Sequence, residues 1–314
     1  MRVVEVTKYG GPEVLQVSRA PEPVAGPGQV VIGVCVVDVM SIDAQLRAGW
    51  GRDWFPAEPP FVPGTGVAGR VVSVGDGVDA GWLGRRVAAQ LPGGGAYAER
   101  AVAGVETVVE VPGEVTWRQA AALIQVGPAA LSLVGAAELK PGAEVLVTGA
   151  GGALGLAVVR LARAAGATVT AAAHDPAKRE AASAAGAAKV IGYAEFAGTF
   201  DVVFDGVGGE VGGSAFRLLG PGGRFFAYGV PSGSAALIDP AEAERRGVLV
   251  VGMEQVQFAP EEFRGLAEQT MREAAARRLT AEVGLAVPLE RAAEAHAALE
   301  ERRLVGKALL LVAE

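Results

Sequence analysis

Residues 144–174 read EVLVTGAGGALGLAVVRLARAAGATVTAAAH. The opening EVLVT is a continuous, mostly apolar run, as a strand covered on both faces requires. Gly149, Gly152 and Gly155 follow it at even spacing and open a segment in which Leu154, Val158, Leu161, Ala162 and Ala165 recur along one helical face. Past Gly166 a second strand begins, ATVTAAA. Strand, glycine-rich turn, helix and strand within about thirty residues make a βαβ unit, and this unit decides the fold class.

The alternation continues downstream. Asp175 and Pro176 read as an N-cap and first helical position, and Gly186 as the helix stop. KVIGY (189–193), FDVVFDGVGG (200–209), a helix to about Leu219, RFFAYG (224–229) and VLVVG (248–252) then complete a doubly wound α/β domain with a parallel sheet. Upstream, RVVEVT, GQVVIGVCVV, GVAGRVVSVG and RRVAAQL are short β segments separated by Gly and Pro, which predicts a small irregular β-barrel. The tail carries a charged helix from 260 to about 278, a strand at 282–287, a helix at 291–303 and the apolar strand KALLLV. These last elements are expected to return to the barrel. The expected domains are therefore 1–118 with 280–314, and 119–279.

Bulk properties agree with two globular domains. A chain of 314 residues exceeds the size at which one core keeps growing, and 51% hydrophobic with 20% charged residues suits folded domains. A net charge of −7 offers no basic surface for a phosphate backbone, so nucleic acid is not expected as a partner. The N-terminal MRVVEVTKYGG lacks the apolar core of a secretion signal, and no apolar stretch approaches the roughly 18 residues of a membrane helix; a cytoplasmic protein without a membrane partner is expected. Cys35 is the only cysteine, and His174 and His296 are the only histidines. That inventory opposes an intrachain disulfide, a thiolate zinc cluster, a His/Cys catalytic zinc and a histidine-activated hydrolase.

The glycine spacing has a chemical use. Gly149 permits a tight turn, Gly152 lets backbone amides approach a pyrophosphate, and Gly155 lets helix and strand pack closely. Ala153 and Leu154 then begin the helix, whose unpaired N–H groups favour an anion. In a chain with 45 glycines the plainer reading is an ordinary turn, but the flanking strand and helix favour dinucleotide binding. The second strand ends Ala171, Ala172, Ala173, His174, without the carboxylate that usually bonds both ribose hydroxyls. His174, Lys178 and Arg179 are instead placed to face a 2′-phosphate, which favours NADPH. Two alternatives stay open: Asp175 serving as a displaced ribose acid, and Lys178 and Arg179 being solvated helix residues.

Over nearly its whole length the chain resembles the medium-chain dehydrogenase/reductase superfamily, in the zinc-free quinone oxidoreductase branch. PFVPGTGVAGRVVSVGDGV, GRRVAAQLPGGGAYAE, EVLVTGAGGALG, FDVVFDGVGG, LLGPGGRFFAYG and LERAAEAHAALEERRLVGKALLLV carry the resemblance, in that order. It implies a GroES-like catalytic domain around a Rossmann domain, with the active site between them. Met40 and Thr65-Gly66 stand where zinc-dependent members keep metal ligands, so the resemblance implies no catalytic zinc. It also assigns Lys178 and Tyr193 to the 2′-phosphate and adenine region, and places Asp205, Gly206, Tyr228 and Gly229 beside the ribose and nicotinamide. A homodimer is implied, formed by edge pairing of strands near 248–252.

Substrate-side residues are less marked. In VDVMSIDAQLRAGW (37–50) the family's usual Asn and Tyr are replaced by Met40 and Gln45. Met40 is expected to line an apolar pocket, and Asp43 and Arg47 to form an i,i+4 ion pair of structural use. Gln125, Tyr97 and Tyr228 are further candidates, as are Trp50, Trp54 and Phe55, which read equally as a ring-stacking loop or a hydrophobic lid. His296 reads as a surface or packing histidine. The leading expectation is an NADPH-dependent reductase of a quinone or conjugated enone. A pathway-specific enoyl or ketone reductase and a non-catalytic NADPH-binding redox sensor are the competing readings.

Overall fold

The computed structural model describes residues 1–51, 57–302 and 304–313. The chain begins with β1 (Arg2–Val6), β2 (Leu15–Arg19), β3 (Gln29–Val39), α1 (Ser41–Arg47), β4 (Gly66–Val74), β5 (Arg86–Gln90), β6 (Arg100–Gly104), β7 (Val108–Glu110) and α2 (Trp117–Leu123). Helix α3 (Val126–Ala136) leads into β8 (Glu144–Thr148), α4 (Ala153–Ala164), β9 (Thr168–Ala172), α5 (Pro176–Ala184), β10 (Lys189–Ile191), β11 (Phe200–Asp205), α6 (Gly209–Arg217), β12 (Leu219–Ala227), α7 (Pro240–Arg246) and β13 (Leu249–Val251). The remaining elements are α8 (Pro260–Ala275), β14 (Val283–Pro288), α9 (Ala292–Glu300) and β15 (Lys307–Leu311).

Two compact units result, Met1–Gln125 with Pro260–Glu314, and Val126–Ala259. The bounds 119–279 place α2 and α8 in the second domain, while in the structure both lie in the first unit together with the other tail elements. Their buried faces explain the difference. Phe263, Ala267, Thr270 and Met271 of α8 are buried, and the helix packs on β7 and α2.

In the first unit a mixed sheet runs β14-β15-β3-β4-β5-β7, with β6 also on β3. Strand β3 is its spine, and its near-continuous apolar sequence QVVIGVCVVDV reflects partners along both edges and cover on its faces. Val30, Ile32, Val37 and Val39 of β3 pack with Val67, Val87, Leu310 and Tyr97 in one core. Strand β15 pairs antiparallel with β3, so the tail of the chain completes the sheet begun at its start.

The second unit is a six-stranded sheet in the order β10-β9-β8-β11-β12-β13, parallel throughout. The direction of winding reverses at β8, between β9 and β11. Ligands of such sheets bind beyond the carboxyl ends of the strands at that reversal, where the glycine turn lies. Helix α4 buries Gly155, Leu156, Ala157, Val158, Val159 and Ala162, while Leu154 is half-buried and Ala165 exposed. The buried stripe is thus rotated from the expected one, because Gly155 is pressed against the turn below it and fixes which face looks inward.

Candidate dinucleotide-binding site

Each glycine of the turn meets a different physical demand. Gly149 has φ +64°, a left-handed conformation that glycine enters without a Cβ penalty. Gly152 is the N-cap of α4 in extended backbone, with φ −79° and ψ 163°. A Cβ there would meet protein only at the Gly149 carbonyl oxygen, 3.4 Å away, so its outer side is a cradle of the kind a ligand's backbone contacts need. Gly155 has no such room: a Cβ would lie 2.5 Å from the Gly149 carbonyl oxygen and 2.8 Å from Ala150 Cα. The N–H groups of Ala153 and Leu154, at the start of α4, have no intrahelical acceptor and sit at the positive end of the helix dipole. These residues fit a pyrophosphate.

The end of β9 sorts the basic candidates. Asp175 Oδ1 accepts from the N–H of Ala177 at 2.7 Å and of Lys178 at 3.4 Å, so this carboxylate caps α5. Arg179 Nη1 donates to the carbonyls of Ala173 and His174, each at 3.4 Å, and is tethered to the strand end. His174 is exposed. Lys178 lies against the glycine turn at Gly151, a residue that the three-glycine spacing passes over. Tyr193 follows β10, half-buried, with its ring edge-on to Phe196.

The ends of β8, β11 and β12 are knitted together beneath the turn. Thr148 Oγ1 donates to Asp205 Oδ1 and accepts from the N–H of Gly206 at 3.1 Å. Asp205 also accepts from the N–H of Val207 at 3.2 Å and of Gly208 at 3.0 Å. Burial pushes its carboxyl above the usual range while these donors draw it down. Asp205 is 0% exposed. The carboxylate thereby holds its own loop in place. Tyr228 donates to the Thr148 carbonyl at 2.6 Å, and its ring covers Gly206 so closely that a Cβ there would be 2.4 Å away. Burial, then the charges of Asp205 and Tyr193, raise its phenol well above the ordinary value. Tyr228 thus ties the end of β12 to the end of β8. Gly229 also lies against Gly206, where a Cβ would be 3.1 Å from the Gly206 carbonyl oxygen.

In the first unit the substrate-side candidates fall into two groups. Gln90 Nε2 donates to Gln125 Oε1 at 3.1 Å, and Gln125 Nε2 donates to Thr65 at 3.0 Å (Oγ1) and 3.1 Å (carbonyl). Thr65 Oγ1 lies 3.8 Å from Met40 Sδ. This chain is neutral throughout. Among the described residues no group of three or more His, Cys, Asp or Glu is gathered as a metal site requires.

The second group is buried and charged. Asp43 accepts from the Met40 N–H at 2.9 Å and from the Tyr97 hydroxyl at 3.2 Å. Arg47 pairs with Glu300 of α9, not with Asp43 as the i,i+4 spacing predicts, because Asp43 turns back to the start of α1. Burial is the main cause lifting the Asp43 carboxyl to about 7. His296 is fully buried beside Tyr97, and burial, then the charge of Arg47, lower it to about 3. A buried pair, Lys307 with Asp38 at 2.6 Å, has no signal in the linear sequence. Trp50 is 48% exposed, and Trp54 and Phe55 lie outside the described residues.

Residues 153–272 match the family described as zinc-binding dehydrogenase, and residues 26–113 the alcohol dehydrogenase GroES-like domain. The first description names a metal, yet residues 153–272 contain no cysteine and one histidine, His174. The quinone oxidoreductase of Sus scrofa is 30% identical over 99% of this chain and 98% of its own. That of Mus musculus is 32% identical over 94% and 93%. Among solved structures, a mycobacterial protein complexed with NADPH superimposes with a TM-score of 0.90 at 31% identity, covering 99% of this chain and 100% of its own. Escherichia coli quinone oxidoreductase complexed with NADPH gives 0.90 at 26% identity, with the same coverage. Whole-length likeness, strand order and the glycine turn all lead to one assignment: the chain belongs to the medium-chain dehydrogenase/reductase superfamily, in its quinone oxidoreductase branch.

Proposed function

We propose that this protein is an NADPH-dependent, zinc-independent reductase that transfers hydride to a quinone or conjugated enone. The observation that carries the reading is the junction of the pyrophosphate cradle at Gly152 with Lys178 at the start of α5, next to a strand end that presents no ribose-binding acid. Whole-length relatives named quinone oxidoreductases support it, as do two solved neighbours that hold NADPH. The cofactor roles of Gly152 and Lys178, and the substrate-side roles of Met40, Thr65 and Gln125, belong to the same proposal.

When bound, reduced nicotinamide supplies the hydride. The N–H groups at the start of α4 hold the pyrophosphate, and the ammonium of Lys178 attracts the 2′-phosphate. Asp175 is occupied as a helix cap and does not compete for the ribose. Thr148, Asp205 and Tyr228 keep the strand ends fixed beneath the turn. On the substrate side, Met40, Thr65 and Gln125 offer a thioether, a hydroxyl and an amide, which is not a zinc donor set. A quinone acceptor would take that hydride and one proton from solvent and leave as its hydroquinone.

The reading includes a cytoplasmic homodimer. Strand β13 is the outer strand of the parallel sheet, with Leu249 53% and Val250 42% exposed, and pairing with a second copy would cover both. Met40 and Gln45, in place of the family's Asn and Tyr, favour a pathway-specific enoyl or ketone reductase as the second reading. The test offers NADPH or NADH with ortho- and para-quinones, enones and simple ketones, following loss of the reduced-nicotinamide absorbance. NADPH-selective reduction of a quinone or enone is expected. Selective reduction of a ketone alone transfers the assignment to the second reading, and tight NADPH binding without turnover to a redox sensor.

A further inference from the structure

Met40 belongs to two lines of contacts at once. Its thioether lies 3.8 Å from the Thr65 hydroxyl, at the end of the neutral run that passes through Gln125 to Gln90. Its backbone N–H donates to Asp43 Oδ2 at 2.9 Å, and from there a second run passes through the Tyr97 hydroxyl at 3.2 Å to His296 Nε2 at 2.9 Å. Asp43 is the third residue of α1 and reaches back to Met40, the residue that caps it. The backbone of Met40 is therefore held by three buried polar side chains in series.

The direction of each bond follows from the protons available. His296 Nδ1 is buried and meets no hydrogen-bond partner among the described residues, so a proton there would be an unpaired donor. The imidazole, kept neutral by burial and then by the charge of Arg47, thus carries its proton on Nε2 and donates it to the Tyr97 oxygen. That leaves the single phenol proton for Asp43, whose Oδ2 accepts from Tyr97 and Met40 together. Two helices meet along this line. Asp43 and Arg47 stand four apart on α1, His296 and Glu300 four apart on α9, and Arg47 pairs with Glu300, so α1 is tied to α9 near both of its ends.

We infer that Asp43, Tyr97 and His296 are positioning residues for the acceptor: their chain fixes where α1 begins, and with it where the Met40 side chain stands against Thr65. The inference rests on the acceptor-side reading of Met40, Thr65 and Gln125 above. Asp43 acts through Met40 and not on the acceptor itself. An ionised carboxylate accepts hydrogen bonds about twice as strong as those to a neutral acid. Burial is the main cause that lifts the Asp43 carboxyl to about 7, so its hold on Met40 weakens as pH falls through that value. Arg47 with Glu300, and Asp38 of β3 with Lys307 of β15, are the other charges around these groups, and an asparagine at 43 separates its titration from theirs.

The experiment is steady-state kinetics with NADPH and a para-quinone on the full-length wild type, Asp43→Asn and Tyr97→Phe, from about pH 5.5 to about 8.5, beside equilibrium titration of NADPH. Asparagine keeps the shape of Asp43 and an acceptor for Met40 but does not ionise. The acceptor KM of Asp43→Asn should match wild type at the acid end and exceed it by about threefold to tenfold at the alkaline end, while NADPH affinity stays within about twofold of wild type. Tyr97→Phe should raise the same KM by about threefold. A KM ratio of Asp43→Asn to wild type that does not change with pH, an acceptor KM untouched by Tyr97→Phe, or NADPH affinity falling in step with acceptor KM would each overturn the inference. If a variant folds poorly the wild type alone decides: its acceptor KM should rise as pH falls through about 7, and a flat profile overturns the inference. A wild type that binds NADPH and reduces no acceptor would overturn the functional reading, and this inference with it.

Discussion

The Tyr97 hydroxyl lies 2.9 Å from Nε2 of His296, across 199 residues of chain. The same hydroxyl is 3.2 Å from Asp43, and all three side chains are buried in the first unit. Asp43, lifted to about 7, binds its proton more tightly when folded, so its contribution to stability is complete below about pH 4 and is lost as pH rises through 7. His296, lowered to about 3, has the opposite sign: its contribution is complete above about pH 6.5 and is lost as pH falls through 3. Between pH 4 and 6.5 the two slopes oppose, each worth a few kcal/mol in total at about 1.4 kcal/mol per unit. Arg47, Asp38 and Lys307 also act on these groups. Denaturant unfolding of Asp43→Asn across this range should show stability rising with pH, and that of His296→Leu stability falling. Three parallel profiles for wild type and both variants would contradict the assignment.

Lys178→Ala removes the cation from the start of α5. A hydrogen bond to a charged group contributes about 1.5–3 kcal/mol, so NADPH affinity should fall by about tenfold or more. NADH affinity should change far less, and the loss should shrink as salt is raised. Equal weakening of both cofactors would place Lys178 in the turn's structure and not on the 2′-phosphate.

Tyr228→Phe removes the 2.6 Å bond to the Thr148 carbonyl. The expected cost is about 1 kcal/mol of stability, read from the thermal midpoint, with a modest rise in the NADPH dissociation constant. A brace predicts kcat within tenfold of wild type. A hundredfold fall in kcat at unchanged stability would show that the hydroxyl serves the reaction.

Gln125→Leu breaks the chain from Gln90 to Thr65 and strands both partners. KM for the acceptor should rise several-fold while the dissociation constant of NADPH stays put, a split that steady-state kinetics and titration together resolve. Weakened NADPH binding with an unchanged acceptor KM would remove Gln125 from the substrate side.

Leu249→Lys with Val250→Glu puts charge on the outer strand β13. Light scattering at micromolar concentration should report a dimer for the wild type and a monomer for the variant. A monomeric wild type would reject the edge-paired dimer.

The local part of the fold was legible in the sequence. Strand, glycine turn and helix are set by residues within a few positions of each other, and so is the cap formed by Asp175 and Pro176. The strand order of the parallel sheet follows from such units joined by right-handed crossovers. What escaped reading is what distant segments create together. Asp43, Tyr97 and His296 meet only when α1, the segment before β6 and α9 pack, and Arg47 finds Glu300 in the same way. Helix α8 shows which unit it belongs to only through the face that buries Phe263 and Met271. Asp205 and Tyr228 were read at strand ends, and their hydrogen bonds to Thr148 and Gly208 leave no mark in the linear sequence.

Whether this chain passes hydride from NADPH to a quinone-like acceptor is decided in a single turnover. Protein saturated with NADPH is mixed with a stoichiometric para-quinone, and the reduced-nicotinamide absorbance is followed in time. One equivalent should bleach per equivalent of quinone, at a rate that saturates with quinone and is lowered by deuterium at the transferred position of the nicotinamide. Tight NADPH binding with no bleaching above the protein-free rate, for quinones and enones alike, would contradict the assignment as a reductase of such acceptors.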